Sequence, residues 1–300
     1  MKKKVVSATV TPLFEDGSLD RQGLCNLIDR GARHGLDGMF LFGSMGEWGS
    51  LSGALKEEGV ELVSGYVKNR FELLVGINAT SLPLSLDLIK CYKKYDFSAY
   101  VFMPPGKTSS LDPVKSVLTI LDAADRPVYL YHCPPVNDVN FSLNDFATMM
   151  RHPNLKGIKN SSSNMYLRRE LLLLREEMGL KTLFFEGQEW AADEALTVGC
   201  DGMICGMGAV CSKLMRRLAD CVDAGDTAGA VATQNRMIRV FHGVYGPNVE
   251  NCWNGQKYAL FKMGLIATPY TRAQEMSGLT GAAKARIEKC LAEFKDDLDW

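Results

Sequence analysis

The stretch "LKGIKNSSSN", residues 155–164, runs from short apolar positions into a block of small polar residues, with a lysine at the junction. A lysine there ordinarily marks a strand end reaching for water. The reading changes because the pattern recurs. Comparable runs stand at "VVSATVTP" near residue 5, "GMFLFGS" near 38, "LLVGINAT" near 73 and "AYVFMPP" near 99. Others follow at "PVYLYHCPP" near 127, "TLFFEGQ" near 182 and "GMICGMG" near 202, which makes eight strand candidates in all. Between them lie "LDRQGLCNLIDRGARHGL", "SLDLIKCYKKY", "LDPVKSVLTILDAAD" and "MYLRRELLLLREEMG", with apolar residues recurring at intervals of three and four, as in helices.

Strict strand–helix alternation requires a parallel sheet, because only crossover helices return the chain to the start of the next parallel strand. Eight units suit a closed ring better than an open doubly wound sheet. The open sheet would also carry a glycine-rich phosphate turn after its first strand, and "TVTPLFEDGS" has no GxGxxG. The fold class expected is therefore α/β, a (β/α)8 TIM barrel, and a length of 300 residues accommodates it with an addition. The addition is C-terminal. After "GMICGMGAVCSKLM" the strand pattern stops, and "TAGAVATQNRMIRVFHGVYG", "NCWNGQKYALFKMGLI" and "TGAAKARIEKCLAEFKDDL" all read as helices, with breaks at Gly264 and Pro269. We expect a catalytic barrel over 1–224 and a helical extension of two or three helices over 225–300.

Hydrophobic content of 46% and 28 glycines fit a globular enzyme, and a net charge of −1 without a basic stripe gives no footprint for nucleic acid or an anionic membrane surface. No run approaches the ~18 apolar residues of a spanning helix. The basic start "MKKKVVSATVTP" lacks the apolar region of a signal peptide and reads as a first strand. Nine scattered cysteines, none spaced as CxxC, read as free thiols of a cytoplasmic protein. His34, His132, His152 and His242 are isolated, so no metal site is expected; "GKT" at 106–108 lacks the first glycine of a phosphate loop, since Val101 stands there.

Barrel chemistry sits at the C-terminal ends of the strands. Ser44, Tyr131, Lys159, "EGQ" and "CGMG" all fall at such ends. Alternation sharpens the choice. In "PVYLYHC" the hydrocarbons Val128 and Leu130 suit the helix layer, which sends Tyr129 and Tyr131 inward; in "KGIKN", Ile158 suits the helix layer and Gly157 and Lys159 point inward. Tyr131 and Lys159 should then be neighbours at the barrel mouth. A lysine desolvated there loses stabilisation as an ammonium, and a neutral amine can attack a ketone to give a Schiff base. A phenol beside it, with Ser44 as relay, can move the protons. Glu47, Glu186 and Glu189 read as orienting partners or loop charges, Met203 and Met207 as packing residues, and Cys133 as a thiol facing the helix layer.

The segments "GSMGE" (43–47), "YHCP" (131–134) and "GIKNSSSN" (157–164) resemble the GTTGE, YNxP and GxK segments of the dihydrodipicolinate synthase and N-acetylneuraminate lyase superfamily of pyruvate-dependent class I aldolases. Order and spacing agree across essentially the whole chain, including "TVTPLFEDGSLD", "GCDGMICGMG" and the helical tail. The resemblance implies Lys159 as Schiff-base lysine, Tyr131 as general acid/base and Ser44 in place of the relay threonine. It also implies that the Met45 backbone N–H receives the pyruvate carboxylate and that the Ile204 carbonyl lines the pyruvate pocket. No cofactor is implied. The partners implied are pyruvate and an aldehyde, and the assembly a homotetramer built as a dimer of dimers.

Two departures bear on substrate. Val136 stands where dihydrodipicolinate synthases carry an arginine for the aldehyde's carboxylate, which disfavours 4-hydroxy-tetrahydrodipicolinate synthase activity. Gly106, followed by Lys107, stands where many members place a relay tyrosine. His132, which replaces the usual asparagine, is then a candidate substitute in the proton path, and Lys107 a candidate contact for an anionic group. The expected activity is a carbon–carbon lyase or aldolase resembling N-acetylneuraminate lyase or a 2-keto-3-deoxy sugar acid aldolase. Its alternatives are the synthase itself, a sugar-acid dehydratase using the same imine, and a non-catalytic 2-oxo-acid-binding regulator.

Overall fold

All eight strand candidates form strands in the computed structural model, which describes residues 2–68, 70–107 and 112–300. They are β1 (Lys4–Ala8), β2 (Gly38–Leu41), β3 (Glu72–Gly76), β4 (Ala99–Phe102), β5 (Val128–His132), β6 (Leu155–Asn160), β7 (Leu183–Glu186) and β8 (Gly202–Cys205). Each pairs in parallel with its sequence neighbours, and β1 closes on β8 with Val6 opposite Ile204. The ring is thus an eight-stranded TIM barrel.

Burial on both faces explains why these strands read as nearly continuous apolar runs. Two apolar clusters share them by alternation. An inner one, including Val6, Phe40, Leu74, Val101, Tyr129, Tyr131, Phe185 and Ile204, fills the barrel. An outer one, including Met39, Leu41, Val128, Leu130, Ile158 and Met203, meets the helices. Gly157 leaves room inside: a Cβ there would lie 2.8 Å from a ring carbon of Tyr129 and 2.9 Å from the Leu183 carbonyl. The polar block after Lys159 is the turn into the next helix, Met165–Glu177, whose first turn is capped by the Asn164 side chain accepting from the Leu167 N–H at 3.0 Å.

Beyond β8 the chain is helical: Gly208–Asp223, Thr227–Tyr245, Cys252–Lys262, Gly281–Glu293 and a single turn at Lys295–Leu298. The helix Cys252–Lys262 lies across the C-terminal mouth of the barrel and grips the loops there. Trp253 Nε1 donates to the Ser44 carbonyl at 2.9 Å, and Gln256 Nε2 donates to the Gly206 carbonyl at 2.8 Å. The fully buried Lys257 ammonium pairs with the carboxylate of Glu47. Glu47 occupies the left-handed region at φ 60°. Its second oxygen accepts from Thr271 Oγ1 (2.8 Å) and from the backbone N–H groups of Arg272 (2.7 Å) and Ala273 (3.1 Å). One carboxylate therefore ties the loop after β2 to two C-terminal segments.

Removing one member of such a buried pair strands the other charge, at a cost of about 3–5 kcal/mol. Lys257→Met is expected to lower the urea unfolding free energy by that order, and adding Glu47→Gln to the same chain is expected to recover part of it.

Candidate active site

The register places Tyr131 on β5 directly opposite Lys159 on β6. Both side chains point inward. Lys159 is 4% exposed, with Nζ 4.1 Å from the Tyr131 ring centroid and 5.3 Å from that of Phe40. Among the described residues it has no carboxylate within ion-pair distance. Burial pushes its pKa below the ordinary lysine value of about 10.5; the fields of Cys133, Cys205, Glu189 and Glu186 oppose that only in part. Two aromatic faces offer the ammonium some compensation without fixing it in a pair.

The Tyr131 hydroxyl lies 3.2 Å from Ser44 Oγ, on the loop whose carbonyl Trp253 holds. Burial raises the phenol's pKa, and the Ser44 and Ser161 hydroxyls act in the opposite direction. Ser161 is itself buried beside the phenol. These groups border a cavity of about 230 Å³. Polar lining comes from Ser44, Tyr131, Lys159, Ser161, Gln188 and Glu189; apolar lining includes Met45, Val136, Trp190, Phe241 and Val249.

The carboxylates divide by role. Glu186 is committed to structure: Arg168 reaches it at 2.5 Å, and the Gly187 and Gln188 N–H groups each donate to it at 2.9 Å. Glu47 is occupied as described above. Glu189 borders the cavity, 7% exposed; one oxygen accepts from the Met207 N–H at 2.8 Å, and burial raises its carboxyl pKa. Among the described residues no three His, Cys, Asp or Glu side chains group to hold a metal ion.

Several expectations need correcting. Cys133 faces the cavity rather than the helix layer, because the alternation that turns Tyr129 and Tyr131 inward continues one step past the end of β5. Burial raises its pKa and keeps it a thiol. His132 points the other way. Its Nδ1 lies 3.1 Å from Asn160 Oδ1, and its ring packs against Phe141 and Phe146 at centroid distances of 5.7 and 5.3 Å. Burial lowers its pKa, so it is a neutral ring outside the barrel and no substitute in the proton path. Gly106 and Lys107 do not line the cavity; Lys107 Nζ is at the surface, 4.0 Å from Asp138. Residues 108–110 of "MPPGKTSS" lie outside the described residues.

Met45 lines the cavity, its sulfur 3.5 Å from that of Cys252. Ile204 is fully buried in the inner cluster, and the cavity wall after β8 is Gly206. Val136 lines the cavity and is 52% exposed. Sequence reasoning missed Ser161 and Trp190, which sit in turns, and Phe241, Tyr245, Val249 and Cys252, which the C-terminal segments deliver. For Ser161 a signal existed: it is two residues beyond Lys159, on the same parity.

An eight-stranded barrel holding an unpaired buried lysine against a phenol has the design of a class I, Schiff-base lyase or aldolase. The Dihydrodipicolinate synthetase family model matches residues 1–293, and the chain belongs to that family of class I lyases and aldolases. It is similar to a 4-hydroxy-tetrahydrodipicolinate synthase of Shewanella piezotolerans, 25% identical over 290 residues covering 94% of this chain and 98% of that one. An uncharacterized DapA-like lyase of Rhizobium meliloti is 26% identical over 79% of each chain. Among solved structures, a dihydrodipicolinate synthase from Bacteroides thetaiotaomicron superposes with a TM-score of 0.89 at 24% identity, covering 97% of this chain and 98% of that chain. CdNal from Clostridium difficile, in complex with mannosamine, gives 0.88 at 21% identity, with 97% and 99% covered. YagE from E. coli K12, a prophage protein in complex with pyruvate, gives 0.87 at 20% identity, with 98% of each chain covered. At these identities the superpositions speak for the fold.

With its folded pKa below the unfolded one, Lys159 leaves the unfolded chain binding more protons across the interval between the two. Stability then rises with pH in that interval, and the penalty is full below it. Lys159→Met is therefore expected to raise the melting temperature at pH 7 by a degree or more, with the gain shrinking as pH approaches about 10.5, as calorimetry across that range would show.

Proposed function

We propose that the protein makes or breaks the carbon–carbon bond between pyruvate and a small aldehyde that lacks a second carboxylate. The observation that carries this reading is Lys159 opposite Tyr131 on adjacent inward faces, with Ser44 in reach of the phenol. The amine of Lys159 attacks the pyruvate carbonyl carbon; loss of water gives a protonated imine, with Tyr131 handling the protons. Removing a proton from the methyl carbon leaves an enamine, its charge delocalised into the imine nitrogen. The enamine carbon bonds to the aldehyde carbon, the new alkoxide takes a proton, and water hydrolyses the imine to free the amine and the product 2-oxo acid. Cleavage is the reverse.

Met45 offers its backbone N–H to the pyruvate carboxylate, and the Ile204 carbonyl helps to shape the pyruvate end. Solved relatives carry pyruvate in their complexes, which supports the choice of 2-oxo acid. Val136 supports an acceptor without a carboxylate: among the described residues bordering the cavity Lys159 is the one cation, and a synthase acting on a second carboxylate needs another. Within this reading, 1–224 supplies the chemistry and 225–300 braces it. The nine free thiols suit a reducing cytoplasm, and the family resemblance supports a homotetramer.

Borohydride reduction in the presence of pyruvate is expected to add a pyruvate-derived mass to Lys159 and to no other lysine; folded protein left unmodified at Lys159 would overturn the reading. Tyr131→Phe is expected to lower turnover by about 10²–10⁴-fold while the fold is retained. Continued pyruvate binding with no turnover of any aldol acid by the unaltered chain would instead favour a 2-oxo-acid-binding regulator.

A further inference from the structure

The mouth of the cavity is apolar although it faces solvent. Val136, Trp190 and Val249 are 52%, 45% and 40% exposed, and all border the same cavity. Single exposed apolar side chains are ordinary, but these come from separate segments: the turn after β5, the turn after β7 and the link between helices Thr227–Tyr245 and Cys252–Lys262. Trp190 is held edge-on against Phe241, with ring centroids 5.6 Å apart, and so presents a fixed aromatic surface.

The backbone of the link adds a second, independent observation. Val249 has φ 59°, a conformation that costs a β-branched residue about 1–3 kcal/mol. The strain is imposed by a well-tied loop: the Val249 N–H donates to the Gly246 carbonyl at 3.1 Å, the Asn251 N–H to the Tyr245 carbonyl at 2.8 Å, and Arg286 pairs with Glu250 at 3.1 Å. Its result is an isopropyl group at the cavity mouth.

The polar groups nearby are mostly committed. Gln188 Nε2 donates to the Ser161 carbonyl and to Ser163 Oγ, each at 2.9 Å. Tyr245 Oη bonds Gln256 at 3.0 Å. Glu189 accepts from the Met207 N–H, and the Ser161 hydroxyl lies beside the Tyr131 phenol. At about 230 Å³ the cavity is also smaller than the ~300–1,000 Å³ of most ligand sites.

We propose that the acceptor aldehyde carries an apolar substituent, branched aliphatic or aromatic, seated against Trp190, Val136 and Val249. The inference rests on the Schiff-base reading above and extends it to the class of the second substrate. An uncharged, unhydroxylated body loses no hydrogen bonds on entering such a mouth, whereas a polyol would leave several unmade.

The test uses the full-length protein with pyruvate and a panel of aldehydes: benzaldehyde and 3-methylbutanal against glyceraldehyde, N-acetylmannosamine and aspartate semialdehyde, with pyruvate consumption as readout. kcat/KM is expected to favour the apolar pair by at least about tenfold. Trp190→Ala is expected to abolish most of that preference through the KM of the apolar aldehydes. Val249→Asn relaxes the backbone, so it should raise the melting temperature and yet weaken the preference, which a purely structural role would not do. A preference for the hydroxylated or carboxylated aldehydes overturns the inference. So does turnover of none of the panel by protein that traps pyruvate, or a Trp190→Ala variant that changes oligomeric state and leaves selectivity unmoved. Failure of trapping itself overturns the Schiff-base reading beneath it.

Discussion

An amine buried without a counter-ion is the constraint on which the rest of this molecule turns. Of the three lysines buried among the described residues, Lys56, Lys159 and Lys257, the last two meet opposite fates. Lys257 is enclosed with the Glu47 carboxylate against it, while Lys159 is enclosed among aromatic rings with its nearest carboxylates engaged elsewhere. Burial depresses the pKa of both. Depression alone therefore does not tell the two apart; the distinction lies in whether a fixed negative charge stands beside the amine. An ammonium locked in a pair is a strut, and one held over π faces can part with its proton.

Keeping that amine in place requires loops whose geometry the barrel cannot set alone. The helix Cys252–Lys262 supplies the missing constraint through Cys252, Trp253, Gln256 and Lys257, positions separated by one, three and one residues and so on one helical face. That face is polar and aromatic, half-buried at Cys252 and Trp253 and buried at Gln256 and Lys257. Trp253 steadies the Ser44 loop, Gln256 the Gly206 loop, and Lys257 the Glu47 turn. The Ser44 loop and the cavity wall after β8 thus answer to the same element.

The barrel was legible because its strands obey a period of two and its helices a period of 3.6, and both survive in a single sequence. The same alternation put Tyr131 and Lys159 on inward faces. Carried one residue further it would also have placed Cys133 inside and His132 outside. What periodicity could not reach were residues in turns, such as Ser161 and Trp190, and those delivered from far along the chain, such as Val249. The helix Cys252–Lys262 was recognisable as a helix, but its buried polar face looks like a solvated one until the loops it contacts are known. The resemblance in "GSMGE" marked Glu47; the structure supplies the reason, a carboxylate at positive φ joining the β2 loop to the tail.

The bond from Trp253 to Ser44 spans 209 residues of sequence. A ribosome therefore releases every strand of the ring before the helix that holds the Ser44 loop has been made. Emerging polypeptide holding all eight strands would still lack this brace, so the Ser44 loop takes its final geometry only once Trp253 has followed.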